Sequence, residues 1–226
     1  MGDSFLRHSP LAHLGLAARA TEVSEFEAAK FEADDAEAGV AMGERPYRGL
    51  VNLRGPAGDK AFDSAVEKAL GVALPIEPNT TAGPGKNKDS LRVFWLGPDE
   101  WWVVTPGDGP AMADRLRTAL AGQKAAVTDV SESRTCIHIR GARARDLLSK
   151  GGPLDLHPRM FSAGRCAQSL CAKAMVTLHQ TEDDSGDGAK EGGPAYDVYV
   201  LNSFAEYLWL WLEDAAREYG LRITAE

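Results

Sequence analysis

The apolar residues change period in a fixed order along the chain, and that order restricts the folds open to it. A short apolar run from Leu50 to Leu53 indicates a strand, and the residues from Phe62 to Ala73 follow at helical spacing. Two further apolar runs on either side of Gly97 to Glu100 predict a hairpin. A helix over Pro110 to Ala121 completes a strand-helix-strand-strand-helix unit, since proline suits a first helical turn.

A second unit of the same kind begins near Ala125. The segments AVTDV and RTCIHIRG, which continue from it, have the composition of strands. A short helix is predicted over Ala142 to Lys150, and another strand over Ala172 to Gln180. The chain from residue 46 to residue 226 is therefore predicted to be one domain of two halves, about 46–124 and 125–226.

The last helix is predicted to open at a capping box formed by Ser203 and Glu206, after the strand YDVYVL. Its predicted buried stripe consists of Phe204, Leu208, Leu212, Ala215 and Tyr219. Trp209 lies about one residue, ~100°, off this stripe, and burial against a sheet edge is favoured over contact with another chain. We expect the isolated fold to leave apolar surface for a partner, because one hairpin and one helix do not readily bury five tryptophans: Trp95, Trp101, Trp102, Trp209 and Trp211.

The first 45 residues are predicted to be an arm outside this domain. The net charge is 25 − 33 = −8, and Thr21 to Ala38 holds seven acids against Lys30, which accounts for −6 of it. Leu11, Leu14, Phe26 and Phe31 are too sparse to bury a helix face. The composition indicates a solvated or partly disordered tail, with a tail that orders on a partner as the alternative.

Composition also argues against several classes of protein. Outside the acidic segment the chain is nearly neutral and has no basic stripe interleaved with aromatic residues, so we expect no nucleic-acid partner. No apolar run is long enough for a membrane span, and the first residues do not resemble a secretory signal, so we expect a cytoplasmic protein. Cys136, Cys166 and Cys171 are an odd number at spacings unlike a disulfide framework or paired zinc knuckles, which indicates reduced thiols.

Two loops partly match binding motifs. Gly107-Asp108-Gly109 before a helix, with Asp129 further on, resembles a dinucleotide fingerprint, but Met112 stands where a third glycine is needed. We therefore expect an ordinary helix start. Asp183, Ser185, Asp187 and Gly188 match the first half of a calcium loop, but the twelfth position is Pro194 and not a carboxylate. We expect a solvated hairpin tip there.

His157, Cys166, Cys171 and His179 are the candidate metal ligands and nucleophiles. On one unbroken strand, Cys171 and His179 would lie on the same face about 27 Å apart, at ~3.4 Å per residue, too far apart for one ion. We therefore do not expect a zinc site on this chain alone.

One polar row is a stronger candidate for binding. Period two places Arg134, Cys136, His138 and Arg140 on one face of a strand. Such a row has the groups to hold an anion. We favour a face that is exposed to solvent or to another subunit, since Arg and His routinely occupy such faces.

Four long blocks carry a resemblance to a known family. In chain order they are VNLRGPAGDKAFDSAVEKALGVALP, WLGPDEWWVVTP, SRTCIHIRGARARDLLSKGGPLDLHPRMF and SFAEYLWLWLEDAAREYG. Together they resemble the gamma subunit family of heterotetrameric sarcosine oxidase, over about Leu50 to Gly220. The acidic arm and the insertion from Thr181 to Ala195 lie outside the resemblance. No single block is diagnostic, and the specificity lies in their order.

The resemblance implies a complex of alpha, beta, gamma and delta chains that oxidatively demethylates sarcosine. Its products are glycine, hydrogen peroxide and formaldehyde, the last captured as methylenetetrahydrofolate. It further implies that FAD, FMN and NAD belong to the alpha and beta chains and zinc to delta, so that no catalytic, cofactor-binding or metal residue is expected on this chain. The related N-methylglutamate dehydrogenase has a similar gamma-like chain, and the sequence does not separate the two.

The segment from Asp129 to Leu148 is also similar to the early Asp-Val-Ser segment of the folate-binding T-protein of glycine cleavage. This implies an α+β fold of two ferredoxin-like halves. The T-protein family has a catalytic aspartate in a following strand, where this chain has Ala174 to Thr177. The first hypothesis is therefore an accessory subunit without bond-making residues. The rival is a stand-alone folate-binding enzyme, which requires a pocket with a positioned carboxylate.

Overall fold

The computed structural model describes residues 7–20, 38–84, 90–182 and 193–225. Within these ranges the helices are α1 Leu16–Arg19, α2 Lys60–Leu70, α3 Gly109–Ala119, α4 Ala144–Gly151 and α5 Asn202–Ala216. The strands are β1 Val40–Arg45, β2 Gly49–Arg54, β3 Thr81–Ala82, β4 Arg92–Gly97, β5 Glu100–Thr105, β6 Ala126–Asp129, β7 Arg134–Arg140, β8 Cys166–Cys171, β9 Ala174–Glu182, β10 Ala195–Leu201 and β11 Leu221–Ala225. None of the described helices combines the length and apolarity needed to cross a membrane.

The first half is a five-stranded sheet in the order β3-β4-β5-β2-β6. Without β3, this is the order of a ferredoxin-like unit, with α2 and α3 joining the strands. Both helices cover one face, where Val51, Phe62 and Trp101 belong to the same buried cluster. Helix α2 starts cleanly because the carboxylate of Asp59 accepts hydrogen bonds from the backbone N–H groups of Ala61 and Phe62.

The second half is a six-stranded sheet in the order β11-β1-β7-β10-β9-β8. It is a ferredoxin-like arrangement of β7, β9, β10 and β11 into which β1 is inserted. Strand β1 runs parallel to β11 and antiparallel to β7. Helices α4 and α5 cover one face of this sheet, where Ile137, Val198 and Leu208 belong to one core. The prediction of an α+β fold with two ferredoxin-like halves is confirmed.

The predicted boundary of the arm at residue 45 is wrong. Val40–Arg45 is a strand inside the second sheet, and Leu11 is fully buried in the core of that half. Only Val40 and Met42 of β1 enter this core, so the strand has too few apolar residues to be recognised from its pattern. Most of the acidic segment, residues 21–37, lies outside the described residues.

The predicted boundary between the halves is also wrong by one strand. Ala126–Asp129 was expected to open the second half, but it pairs with β2 at the edge of the first sheet. Ferredoxin-like units need this fourth strand, which follows α3 and returns beside the first strand of the unit. Three further strands were not predicted as such: β3 at one edge of the first sheet, and β8 and β11 at the two edges of the second.

The last helix departs from its predicted start and stripe. Helix α5 begins at Asn202, and no side chain caps it, so the capping box of Ser203 and Glu206 is not formed. Glu206 instead lies 3.3 Å from the ring of His13. Phe204, expected in the buried stripe, is 42% exposed. Leu208 and Leu212 are buried as predicted, and the buried stripe is displaced by about one residue, to include Ala205, Trp209 and Ala216.

The tryptophans do not supply the apolar surface that we expected the fold to leave for a partner. Trp101, Trp102 and Trp209 are buried, and Trp95 and Trp211 are half-buried against the two helix-covered cores. The burial favoured for Trp209 is confirmed, and its indole N–H donates a hydrogen bond to Glu213. Each helix-covered core thus takes up more indole surface than the sequence indicated.

The two sheets pack against each other through the faces that the helices leave free. A third buried cluster lies between them, with members from both sheets: Leu50, Phe94, Trp102, Val104, Cys136, Cys166 and Tyr199. The molecule is thus layered as helix, sheet, sheet, helix. Any side chain on the inner face of either sheet faces the other half of the molecule.

Candidate functional site

The polar row predicted on one strand lies between the two sheets. It belongs to β7, which pairs with β1 on one side and β10 on the other. The shared face is as predicted, but exposure is not: Cys136 is fully buried and His138 is 8% exposed. The face is covered because the first sheet packs over it. The sequence of β7 alone gave no indication that another sheet packs over it.

Buried ionic contacts centre on Asp197 in β10. Its Oδ1 accepts a hydrogen bond from Nδ1 of His138 at 2.8 Å and lies 3.2 Å from a guanidinium nitrogen of Arg45. Register explains the meeting, since Asp197 is directly opposite His138 on β7 and opposite His179 on β9. One acid is therefore flanked by basic side chains from neighbouring strands.

These surroundings keep Asp197 ionised. Burial by itself raises the pKa of its carboxyl group, but the hydrogen bond from His138 and the charges of His138 and Arg45 outweigh it and bring the pKa to about 2. His179 behaves in the opposite way, because burial lowers its pKa to about 4. Its Nδ1 has no hydrogen-bond partner among the described residues, and its ring lies 4.7 Å from that of Phe94. His179 is thus a neutral base, and Asp197 a fixed anion.

The other members of the row are also engaged within the chain. The guanidinium of Arg134 lies over the ring of Trp102, 4.6 Å from its centroid. Arg140 lies 3.9 Å from the carboxylate of Glu182. The row does attract anions, as its composition suggested, but the anions found there are the chain's own Asp197 and Glu182.

The four candidate metal ligands and nucleophiles do not come together. A turn at Ala172 and Lys173 separates β8 from β9, so Cys171 and His179 do not lie on one unbroken strand. Cys166 therefore lies directly opposite His179, while Cys171 is at the turn and His157 is in an exposed loop. In the described part of the chain, no group of three His, Cys, Asp or Glu side chains is placed to hold a metal ion.

The three thiols are buried and reduced. Burial raises the pKa of Cys136 well above its usual value, that of Cys166 to about 12 and that of Cys171 to about 11. A thiol reacts as its thiolate, so these side chains are poor nucleophiles at neutral pH.

The glycine-rich loop before α3 is a helix start. The carboxylate of Asp108 accepts a hydrogen bond from the backbone N–H of Ala111. A Cβ at Gly109 would lie 2.0 Å from Oγ of Ser131, so this glycine allows close packing of the helix on the sheet. Asp129 accepts hydrogen bonds from the backbone N–H and the hydroxyl group of Ser131. Asp183, Ser185, Asp187 and Gly188 of the half calcium loop lie outside the described residues.

The positions that matter for folate chemistry lie on β9. The segment from Ala174 to Thr177 contains no carboxylate, and only Met175 of these four residues is exposed. The residues present therefore do not fit the T-protein pattern at this point, and we derive no folate chemistry from them.

Sequence reasoning missed Asp197 and Arg45. Asp197 stands in the middle of an apolar strand, AYDVYVL, and an acid at such a position signals a buried basic partner. Arg45 was assigned to the arm, so no partner was sought in that direction. The alternation of YDVYVL places Asp197 and Tyr199 on one face, which was sufficient to find the acid but not its neighbours.

A family model described as "Sarcosine oxidase, gamma subunit family" matches residues 54–218. The chain belongs to the sarcosine oxidase gamma subunit family. The gamma subunit of sarcosine oxidase from Corynebacterium sp. (strain U-96) is 31% identical over 215 residues, which cover 95% of this chain and 92% of that protein.

Solved structures agree with the family assignment. A chain of the heterotetrameric sarcosine oxidase from Corynebacterium sp. U-96, in complex with pyrrole 2-carboxylate, superposes with a TM-score of 0.73 at 30% identity, over 94% of this chain and 96% of that chain. The glycine cleavage aminomethyltransferase T from Bartonella henselae has a TM-score of 0.57 at 12% identity, over 84% of this chain and 48% of that one. The second likeness shows a shared fold only.

Proposed function

We propose that this chain is the accessory gamma subunit of a heterotetrameric sarcosine oxidase, an oxidoreductase complex. The observation that carries the proposal is the agreement in sequence and fold with a chain of a heterotetrameric enzyme, over nearly the whole length of both chains. A subunit of this kind contributes to the assembly and leaves the chemistry to its partners.

The chemistry of the inner face supports an accessory role. Asp197, a buried carboxyl group whose surroundings keep it ionised, is bound by His138 and Arg45 and covered by the other sheet. A general acid or base must reach a proton of the substrate, and this carboxylate is in contact with its own chain instead. The buried thiols have pKa values too high for a nucleophile.

The complex in this proposal contains alpha, beta and delta chains besides the gamma chain. FAD, FMN, NAD and zinc belong to those partners, and the reaction is the oxidative demethylation of sarcosine to glycine, with hydrogen peroxide and formaldehyde or methylenetetrahydrofolate as further products. The proposed location is the cytoplasm, which the three buried free thiols support. Nucleic acid is not a partner in this proposal.

The test is co-expression of the tagged chain with the three other subunits of a sarcosine oxidase from the same source. We expect a stoichiometric complex that releases hydrogen peroxide on addition of sarcosine. Activity with N-methylglutamate and not with sarcosine would move the chain to the related dehydrogenase. One-carbon transfer by the purified chain alone would overturn the accessory role and favour a stand-alone folate enzyme.

A further inference from the structure

The methionines in the described part of the chain differ sharply in their access to solvent. Met42 is fully buried in the core of the second half, and Met112 is half-buried against the core of the first. Met160 and Met175, in contrast, are 64% and 58% exposed. We call Met160 and Met175 the surface methionines. Their thioether sulfurs are open to small reagents in the surrounding water.

Neither surface methionine fills a core. Met175 lies on β9 directly opposite Leu170 of β8, which is itself 47% exposed. Met160 lies in the loop between α4 and β8, where its backbone N–H donates a hydrogen bond to the carbonyl oxygen of His157. The neighbouring Phe161 supplies the contact of this loop with the core. A polar group added to either methionine sulfur would therefore stay in water and displace no packed side chain.

Hydrogen peroxide oxidises a thioether to a sulfoxide. A lone pair of the sulfur attacks one peroxide oxygen, the O–O bond breaks, and after proton transfer the other oxygen leaves as water. The sulfur is oxidised, the peroxide is reduced, and no further reactant is consumed. Unlike a thiol, a thioether has no proton to lose, so its reaction needs no ionisation at neutral pH.

The thiols of the chain are shielded from the same reagent. Cys136, Cys166 and Cys171 are all buried. Burial also raises the pKa of Cys166 to about 12 and that of Cys171 to about 11. Peroxide reacts with the thiolate, which is scarce at neutral pH when the thiol has such a pKa. A chain that meets peroxide should therefore be modified first at the surface methionines.

We propose that Met160 and Met175 are modification sites, oxidised to the sulfoxide by the hydrogen peroxide that the complex releases. The inference rests on the proposed function, which supplies the oxidant. Because both side chains lie in water, the modified chain keeps its fold, and the oxidant is taken up where it damages no core. Methionine sulfoxide is reduced enzymatically to methionine, so modification at these sites is reversible.

The experiment follows turnover of the four-subunit enzyme on sarcosine under O₂ enriched in a heavy oxygen isotope, and peptide mass mapping locates the label. Oxidase turnover converts labelled O₂ to labelled peroxide, so a labelled sulfoxide comes from the enzyme's own product and an unlabelled one from handling. We expect labelled sulfoxide at Met160 and Met175. It should form there at least ~10-fold faster than at Met42, whose exposure first requires the core to open. Catalase should abolish the labelling, since the peroxide acts from solution.

Glutamine variants test whether the fold tolerates a polar group at each site. Met160→Gln and Met175→Gln should keep the wild-type thermal midpoint, whereas Met42→Gln, the matched control in the core, should lower it. A lowered midpoint for either surface variant would contradict the claim that the modified chain keeps its fold.

The outcomes separate the modification sites from the proposed function. Unmodified Met160 and Met175 in an enzyme that releases peroxide would overturn the inference and leave the proposed function intact. Labelling of the isolated chain by added labelled peroxide, but not of the assembled enzyme, would also overturn it, because another subunit would then cover both sites. An assembled enzyme that releases no peroxide from sarcosine would refute the proposed function itself, and added labelled peroxide would then test the two sites directly.

Discussion

Replacing Asp197 with asparagine tests the buried ionic contacts between the sheets. The pKa of Asp197 is about 2 in the native state, compared with an ordinary value of 3.8. Each pKa unit corresponds to ~1.4 kcal/mol, so the native surroundings favour the ionised form of Asp197 by roughly 2 to 3 kcal/mol. The substitution also leaves His138 and Arg45 without their counter-charge in a buried place, and removal of one member of a buried pair costs about 3 to 5 kcal/mol. We expect Asp197→Asn to lose about 3 kcal/mol of unfolding free energy at pH 7.

The sign of the pH dependence follows from the depressed pKa. A carboxyl group that is more acidic in the native state stabilises the fold fully above its unfolded pKa, near 4, and this contribution is lost as the pH falls toward 2. The wild type should therefore lose its advantage over Asp197→Asn between about pH 4 and pH 2. Taking the difference between the two proteins removes the carboxyl groups that titrate in both.

The measurement is urea unfolding followed by tryptophan fluorescence, at pH 7 and at steps from pH 4 to pH 2. Asp114→Asn is the control, since Asp114 pairs with Arg117 at an exposed site and such pairs contribute about 0 to 1 kcal/mol. Equal stability of Asp197→Asn and the wild type at pH 7 would refute the reasoning. A difference that stayed constant down to pH 2 would show that it comes from packing and not from the charge.

Three further expectations concern separate parts of the chain. His179→Phe should remove a loss of stability that the wild type shows between about pH 6.5 and 4. Burial lowers the native pKa of His179 to about 4, so over that range the unfolded state binds a proton that the native state does not, and the free energy of unfolding falls. Unfolding free energies measured across that range check this. Asp59→Ala should cost about 1 kcal/mol by removing the cap of α2, measured by urea unfolding. Calorimetric titration of tetrahydrofolate into the purified chain should show no micromolar binding, since Ala174 to Thr177 contains no carboxylate.

Local patterns in the sequence were sufficient for most of the individual elements. The helix α2 and the hairpin of β4 and β5 were predicted because their periodicity and turn residues lie within a dozen positions of one another. The turn between β8 and β9 was missed because it lacks such local turn residues. It is built on Ala172, with a positive φ of 52°, and Lys173, which are not residues typical of a turn.

Pairing between strands that are distant in the chain could not be predicted from local patterns. Strand β6 precedes β7 in the chain but pairs with β2, and β1 pairs with β7 and β11, far along the chain. The pattern of a strand tells which residues share a face, and gives no information about what lies opposite. His138 was therefore placed on the right face, and its burial by the other sheet and its bond to Asp197 became visible only in the fold.

The distribution of polar and apolar groups in this chain is reversed at two places, and both reversals have one physical reason. Polar and charged side chains are stable between the sheets because Asp197, His138 and Arg45, all on the inner face of the second sheet, satisfy one another. Apolar side chains on the outside of α5 gain nothing from water, and Phe204, Tyr207 and Leu210 are 42%, 39% and 49% exposed. The inner polar face is thus satisfied within the chain, whereas covering the outer apolar face would be favourable.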